Sequence, residues 1–516
     1  MNNVHELGAR AMVELTRSGE ISASDLLEAH LERIDAHNAD VNAIVALDVE
    51  SAREQAKALD ALPVERRGRL HGLPVAIKDT ANAVGFPATS GHRHFADFRP
   101  EADDLHVARM RAEGVVIIGK TNVPEMAAGS HSFNKVYGTT YNPHDPARSA
   151  GGSSGGAAAA LAAGFVPIAD GSDMGGSLRN PAAFCGVVGM RPSPGVIVGA
   201  EHPNMGDRLV TVGPMARTVA DTALLLDVMA GPTEAQPQHV PLDSAALQNL
   251  EPARLEGMRV AYAPDLDGRV PVDPEITSAL DALVARLESA GATIVRSCPN
   301  LDGADEAFRT LRAAEFQSTM GELLTAEEEN FNDFLADNIR QGESLTALDV
   351  MRALQTTTRL SREAADFFAD VDLVLAPTTQ ILPFPAEQTW PREVAGQPMG
   401  DYLEWMRSAW LFTPLGLPGI SIPAGFAEAG LPIGVQLLAG PGRDVELLQS
   451  AAAIEALIDL GYVDPFARDA NRDRAANRDQ DTNRDQPTNQ NPAIADLAVT
   501  SDPTPASAAS SMEMNS

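Results

Sequence analysis

The chain reads as an α/β protein, and three features of its 516 residues predict that class. Short apolar, β-branched runs such as Leu73 to Ile77 and Val115 to Ile118 read as buried strands. Gly257 to Leu266, Asp273 to Gly291 and Ala292 to Cys298 read as strand, helix and strand, a β-α-β unit. Near the end, Gly419 to Pro423 and Leu431 to Leu438 read as a strand pair, an antiparallel close. Length alone allows two or three domains.

Composition narrows the function classes. A hydrophobic content of 44% with 41 Gly and 36 Pro is that of a loop-rich globular protein. The net charge is −32, and Lys57, Lys78, Lys120 and Lys135 are the only lysines. Such acidity repels phosphate backbones, so nucleic acid is not an expected partner. It fits either a salty cytoplasm or a genome biased toward Arg, Ala and Asp. Only Cys185 and Cys298 are present, which excludes a disulfide framework and favours a reducing compartment. The sequence shows neither a leader pattern nor an apolar run of membrane-spanning length, so a cytoplasmic protein without membrane attachment is expected.

In chain order, Glu6 to Ala61 reads as helices, a packing arm over residues 1–62, with Ser22-Ala-Ser24 before the apolar points Leu26, Leu27, Leu31 and Ile34. Lys78 follows a buried strand, where a lysine ordinarily snorkels or pairs. Gly114 to Thr121 fits the phosphate-loop pattern GxxxxGK[ST], but its middle is a β-branched strand core rather than a flexible turn, so the nucleotide reading is set aside. Ser132-Phe-Asn-Lys135 fits the SxxK of penicillin-binding enzymes without their SDN and KTG partners; Glu125 to Tyr137 is read instead as a loop. Ala304 to Asp370 reads as helical, Asp372 to Pro377 as a strand, and Glu446 to Leu460 as a closing helix. Between the last two, the Pro-rich Gln380 to Pro398 leads to Tyr402, Trp405, Trp410 and Phe412, either a core patch or the cap of a pocket. Residues 467–516 are a low-complexity tract in which Asn-Arg-Asp recurs at Asn471, Asn477 and Asn483, and disorder is expected.

The chemistry concentrates between Ser149 and Arg191. Gly171-Ser-Asp-Met-Gly-Gly-Ser177 sets a serine at the end of a backbone with little Cβ hindrance, where successive N–H groups converge as an oxyanion requires. Gly151-Gly-Ser-Ser-Gly-Gly156 is a second close-approach turn leading into an alanine-rich helix. One serine could attack a carbonyl while the other relays its proton, but this stretch contains no base. Gly151 to Gly155 also fits the GxSxG elbow, which needs an acid and then a histidine. The only later histidines, His202 and His239, lie in loop-like segments, so the elbow is set aside.

The two glycine-serine motifs and their spacing resemble the amidase signature family of serine hydrolases. Leu70-His-Gly-Leu-Pro-Val-Ala-Ile-Lys-Asp79 is similar to that family's lysine segment, and Gly213-Pro-Met-Ala-Arg-Thr218 and Gly416-Leu-Pro-Gly-Ile-Ser-Ile-Pro-Ala-Gly425 to later blocks. The resemblance runs from Glu6 to Ile458 and implies one domain over residues 1–466, a large mixed sheet with helices on both faces. It implies Ser177 as nucleophile, Ser153 as relay after a cis peptide bond, and a neutral Lys78 as base. The amides of Met174, Gly175, Gly176 and Ser177 would hold the oxyanion, although Met174 stands where the family often has a small or hydroxyl residue. Ala128, Gly129 and Ser130 would border the acyl site. Ser154 would hydrogen-bond Lys78, Asp173 and Arg179 would brace the loop, and Asp79 would turn to a structural role. Neither metal nor organic cofactor is required. The expected partner is a small amide, with carbamate or ester hydrolysis by the same triad as the alternative and a homodimer left open. Glutamine-dependent transfer is disfavoured, because Gly206-Asp-Arg-Leu-Val-Thr-Val-Gly-Pro214 replaces the serine-leucine-aspartate-glutamine block of the aminoacyl-tRNA amidotransferases. A binding protein without activity would be expected to have lost the lysine or a serine; all three are present.

Overall fold

In the computed structural model, residues 4–198, 206–234 and 239–467 are described. The expected disordered tail, 467–516, lies outside them apart from Ala467. Helices α1 (Ala9–Ser18), α2 (Ala23–Val41) and α3 (Val49–Asp60) open the chain. Ser22 caps α2 by accepting the Asp25 N–H at 2.9 Å. The all-helical reading of the arm is corrected by β1 (Ile44–Leu47), whose β-branched Ile44 and Val45 belong to a strand. β2 (Pro74–Lys78) and β3 (Val116–Thr121) run parallel on either side of α4 (Leu105–Ala112) in the chain. With β1 antiparallel to β3 they form a three-stranded sheet, β1-β3-β2. β3 is buried at every residue, so Lys120 sits in a strand and not in a phosphate loop.

The second sheet has eight strands. After α5 (Gly155–Ala162) come β4 (Ile168–Asp173), α6 (Arg179–Cys185), β5 (Val188–Arg191), β6 (Thr211–Ala216) and α7 (Val219–Met229). β7 (Arg259–Tyr262), α8 (Pro274–Ser289) and β8 (Thr293–Arg296) are the expected β-α-β unit, with parallel strands. The long helical segment divides into α9 (Ala304–Ala326), α10 (Asp333–Gln341) and α11 (Ala347–Phe367). β9 (Leu373–Pro377), β10 (Gly419–Phe426), β11 (Pro432–Leu438) and α12 (Asp444–Ile458) complete the fold. The strand order is β8-β7-β9-β11-β10-β5-β6-β4, parallel across β8, β7 and β9 and antiparallel from there on, so the sheet is mixed.

Alternation along β9 shows that both faces are covered. Leu373 and Leu375 pack with Leu226, Leu283 and Leu447 of α7, α8 and α12. Val374 and Ala376 point the other way, to Phe308, Leu360, Trp405 and Trp410. Trp405, Trp410 and Phe412 are buried here, with Trp410 stacked on Phe308 at 4.5 Å between centroids, so the aromatic segment is a core patch. Among the described residues no helix is long and apolar enough to cross a membrane.

α5 touches the small sheet so closely that a side chain is excluded at its second residue. A Cβ on Gly156 would lie 2.2 Å from the Asn122 nitrogen and 2.8 Å from the Ala43 oxygen, both backbone atoms that cannot swing aside. Gly156→Ala is therefore expected to destabilise the protein by about 1–3 kcal/mol, as overpacking does. Gly400→Ala, where the nearest atoms belong to the half-buried Glu404 carboxylate at 3.5 Å, an ordinary contact distance, should leave the midpoint nearly unchanged. Chemical denaturation of both variants checks the contrast.

Candidate active site

Two strand ends meet at one place. Lys78 closes β2, Asp170 to Asp173 close β4, and the Lys78 N–H donates to Asp170 Oδ1 at 2.8 Å across the gap between the sheets. Period-two geometry puts Asp170 and Ser172 on one face of β4. Lys78 Nζ then lies 2.9 Å from each of three hydroxyl oxygens, those of Ser153, Ser154 and Ser172. The lysine is 1% exposed. Burial pulls its pKa down to about 7, against the opposing pull of Asp170 and Asp173. Such an amine is neutral over much of the physiological range and can take up a proton.

Asp170 has its own partners besides the Lys78 amide. Its Oδ2 lies 3.1 Å from His106 Nε2. Burial acts to raise its pKa, but the His106 hydrogen bond and charge, the Lys78 N–H and Lys120 carry it below the ordinary value. Asp79 turns away, as expected, and accepts from the Thr89 N–H and hydroxyl and from the Gly91 N–H.

The serines arrive on two interlocked turns. The Gly152–Ser153 peptide is cis, and the Ser154 N–H donates to the Ser177 carbonyl at 3.1 Å. Gly171 must lack a side chain, because a Cβ there would stand 2.6 Å from Ser154 Oγ. Ser132, of the SxxK-like stretch, lies beneath this turn and accepts the Gly155 N–H at 3.2 Å. Lys135 donates to the carbonyls of Glu329, Asn330 and Phe331, which leaves it no part in the site.

Asp173 anchors the turn that carries Ser177. Arg179 grips its carboxylate with Nε and Nη2, both at 3.0 Å, while Arg191 Nη1 reaches Oδ1 at 3.4 Å. Burial opposes ionisation, yet these two guanidiniums hold Asp173 well below the usual carboxylate range. Its oxygens also accept the N–H groups of Gly176 and Leu178, at 2.9 and 3.2 Å. The Gly176 amide, one of the four expected oxyanion donors, is thus directed at Asp173. Gly176 itself has φ +96°, and a Cβ would come within 2.6 Å of Ala409.

Lys78, Ser153, Ser172, Met174 and Ser177 border a cavity of about 470 Å³. Its opposite wall is α9, through Arg312, Glu315, Phe316, Thr319 and Met320. Of the loop expected at the acyl site, the residues that line this cavity are Met126 and Ala127, just upstream of the expected trio. Ala128 is buried with Phe316 and Leu335, Gly129 adopts φ +114° beside Phe334, and Ser130 Oγ accepts from Asn180 Nδ2 at 2.9 Å. Sequence reasoning missed Ser172, Asp170, His106 and Arg312. Alternation along β4 could have found the first two; His106 and Arg312 lie on helices with no local motif.

Residues 25–448 match the family model described as Amidase. An acylamidase of Rhodococcus erythropolis is 37% identical over 464 residues, 88% of this chain and 96% of that protein. The A subunit of the glutamyl-tRNA(Gln) amidotransferase of Salinispora tropica is 33% identical over 501 residues, 89% and 98% of the two chains. Among solved structures, 6-aminohexanoate cyclic dimer hydrolase complexed with substrate aligns with a TM-score of 0.81 at 28% identity, covering 90% of this chain and 99% of the other. A bacterial aryl acylamidase of the amidase signature enzymes gives the same TM-score, 0.81, at 27% identity and the same coverage, 90% and 99%. With a family match over most of its length and acylamidase relatives in both sequence and structure, this amide-hydrolysing enzyme belongs to the amidase signature family.

Proposed function

We propose that the enzyme cleaves the C–N bond of small carboxylic amides through an acyl-enzyme on Ser177, with Ser153 and Lys78 as proton relay. The observation that carries this reading is the buried Lys78 amine, brought to about 7 and ringed by three serine hydroxyls. A neutral amine donates two hydrogen bonds and accepts one, so one of the three hydroxyls directs its proton at Nζ. Ser153 takes that role. Ser177 Oγ attacks the carbonyl carbon, its proton passes to Ser153, and the Ser153 proton passes to Lys78. The oxyanion is held by the amides of Met174, Gly175 and Ser177, with Gly176 given over to Asp173. The relay runs in reverse to protonate the leaving nitrogen as the C–N bond breaks. Water then attacks the ester by the same route, releasing the acid and restoring Ser177.

Met126, Met174, Val210, Val212, Phe316 and Met320 give the cavity an apolar lining that suits an aryl or aliphatic group beside the amide. The same steps open carbamates and esters, which keeps that alternative. Glutamine-dependent transfer stays disfavoured, despite the amidotransferase relatives, because residues 206–214 lack the block associated with it. The cysteine usage favours a cytoplasmic setting.

Hydrolysis of an aliphatic amide, an aryl anilide, an aryl carbamate and glutamine tests the assignment. Ser177→Ala should lower kcat by about 10⁴-fold or more. Lys78→Met and Ser153→Ala should each lower it about 10²- to 10⁴-fold. Full activity in Ser177→Ala together with none in Ser153→Ala would transfer the nucleophile to Ser153.

The pH dependence follows from the sign of the Lys78 shift. Below about 7 the amine is protonated and cannot accept a proton, so kcat/KM should climb through that pH and level above it. Asp170 favours the protonated form, so Asp170→Asn should carry this limb to lower pH. A limb that stays in place would mean that another group titrates.

A further inference from the structure

Arg312 is a cation built into the cavity wall with no anionic partner among the described residues. It projects from α9 and is 5% exposed. Nη1 reaches Met174 Sδ at 3.2 Å and Nη2 donates to the Tyr402 hydroxyl at 2.5 Å. Its guanidinium carbon sits 4.0 Å from the centre of the Phe316 ring, and Nε is buried with no hydrogen-bond partner. No carboxylate among the described residues forms an ion pair with it. The other fully buried arginines beside the site are treated differently, since Arg179 and Arg191 share Asp173.

A guanidinium held out of water is unfavourable unless an anion and further acceptors meet it. Its planar fork matches a carboxylate, and the aromatic ring beneath holds it flat. The Met174 side chain that it touches belongs to the turn of Ser177, so an anion at Arg312 would sit near the attacked carbonyl. Two acids that line the cavity have partners already: Asp170 binds His106 and the Lys78 N–H, and Asp104 accepts the Asn82 N–H at 3.0 Å.

We propose that Arg312 selects amides carrying a carboxylate close to the scissile bond, so that the substrate class is an anionic amide. The assignment rests on the reading of Ser177 as the nucleophile of this cavity.

Two matched pairs test it on the full-length enzyme: succinanilic acid against its terminal carboxamide, followed by aniline release, and 4-acetamidobenzoate against 4-acetamidobenzamide, followed by release of the aminoaryl product. The quantity read is the ratio of kcat/KM for the charged over the neutral member. In wild type the ratio should be about 10 to 100 in at least one pair, the range of a buried charge-assisted contact. In Arg312→Gln it should fall close to 1, and Arg312→Lys should restore part of it. A wild-type ratio at or below 1 in both pairs overturns the proposal, a result that needs no variant to fold. A ratio that survives in Arg312→Gln overturns it equally. Product release that persists in Ser177→Ala would overturn the amidase mechanism itself, whereas cleavage of the neutral members without charge preference overturns only the role of Arg312.

Discussion

An ammonium group taken out of water must either find a permanent counter-ion or give up its proton, and burial of Lys78 favours the second outcome. Three hydroxyls surround Nζ, and hydroxyls tolerate either protonation state because each can donate or accept. A carboxylate in contact would have favoured the charged form. Two acids do stand close enough to act on the lysine, and both are occupied elsewhere. Asp170 binds the Lys78 backbone rather than its amine, with His106 on its other oxygen, and Asp173 is taken by two arginines. Burial therefore remains the largest influence on the lysine.

The same separation of charges ties down the Ser177 turn. Asp173 collects Arg179, Arg191 and the N–H groups of Gly176 and Leu178, while Arg179 extends to the Ala409 carbonyl and Gln436. A buried pair of this kind adds little net stability, because desolvation of both partners offsets much of the attraction. It does fix geometry: the turn is tied at once to β5 through Arg191 and to β11 through Gln436. The proposed nucleophile and the amides beside it would need that kind of support, since the electrostatic benefit depends on donors already in place before charge develops.

Much of this was legible in the sequence because the chemistry lies in short, local motifs. Glycine spacing marked both serine turns, the β-α-β unit and the closing strands showed as apolar runs, and Lys78 stood at the end of one. The phosphate-loop decoy was recognisable from Val115 to Ile118, whose strand character left no room for a loop. What escaped was set by tertiary contact. Ile44 to Leu47 is too short to declare itself a strand and is one because β3 offers it a partner. Ser172 was hidden within a segment read as a turn, although its alternation with Asp170 was present. Met126 and Ala127, which line the cavity just ahead of the trio expected from sequence, have positive φ angles of +51° and +54°, a local bend that no sequence pattern announces. His106 and Arg312 reach the cavity from helices whose sequences carry no sign of it.

The walls of the cavity also come from different parts of the chain, and this bears on how one family holds acylamidases and amidotransferases at comparable identity. The groups assigned to bond cleavage, Lys78, Ser153 and Ser177, come from β2, the turn before α5 and the turn after β4, all anchored to the two sheets. The facing wall comes from α9, with Val210 and Val212 beside it. The α9 wall carries no strand hydrogen bonds and packs through side chains, so its residues can change without disturbing the ladder that positions the lysine and serines. Acylamidase and amidotransferase relatives score 37% and 33% against this chain, so overall identity does not separate the two activities. Substrate choice has to be argued from the few side chains on the opposing wall. Arg312, buried there beside Met174 with no carboxylate partner among the described residues, is the side chain on which the proposed preference for an anionic amide rests.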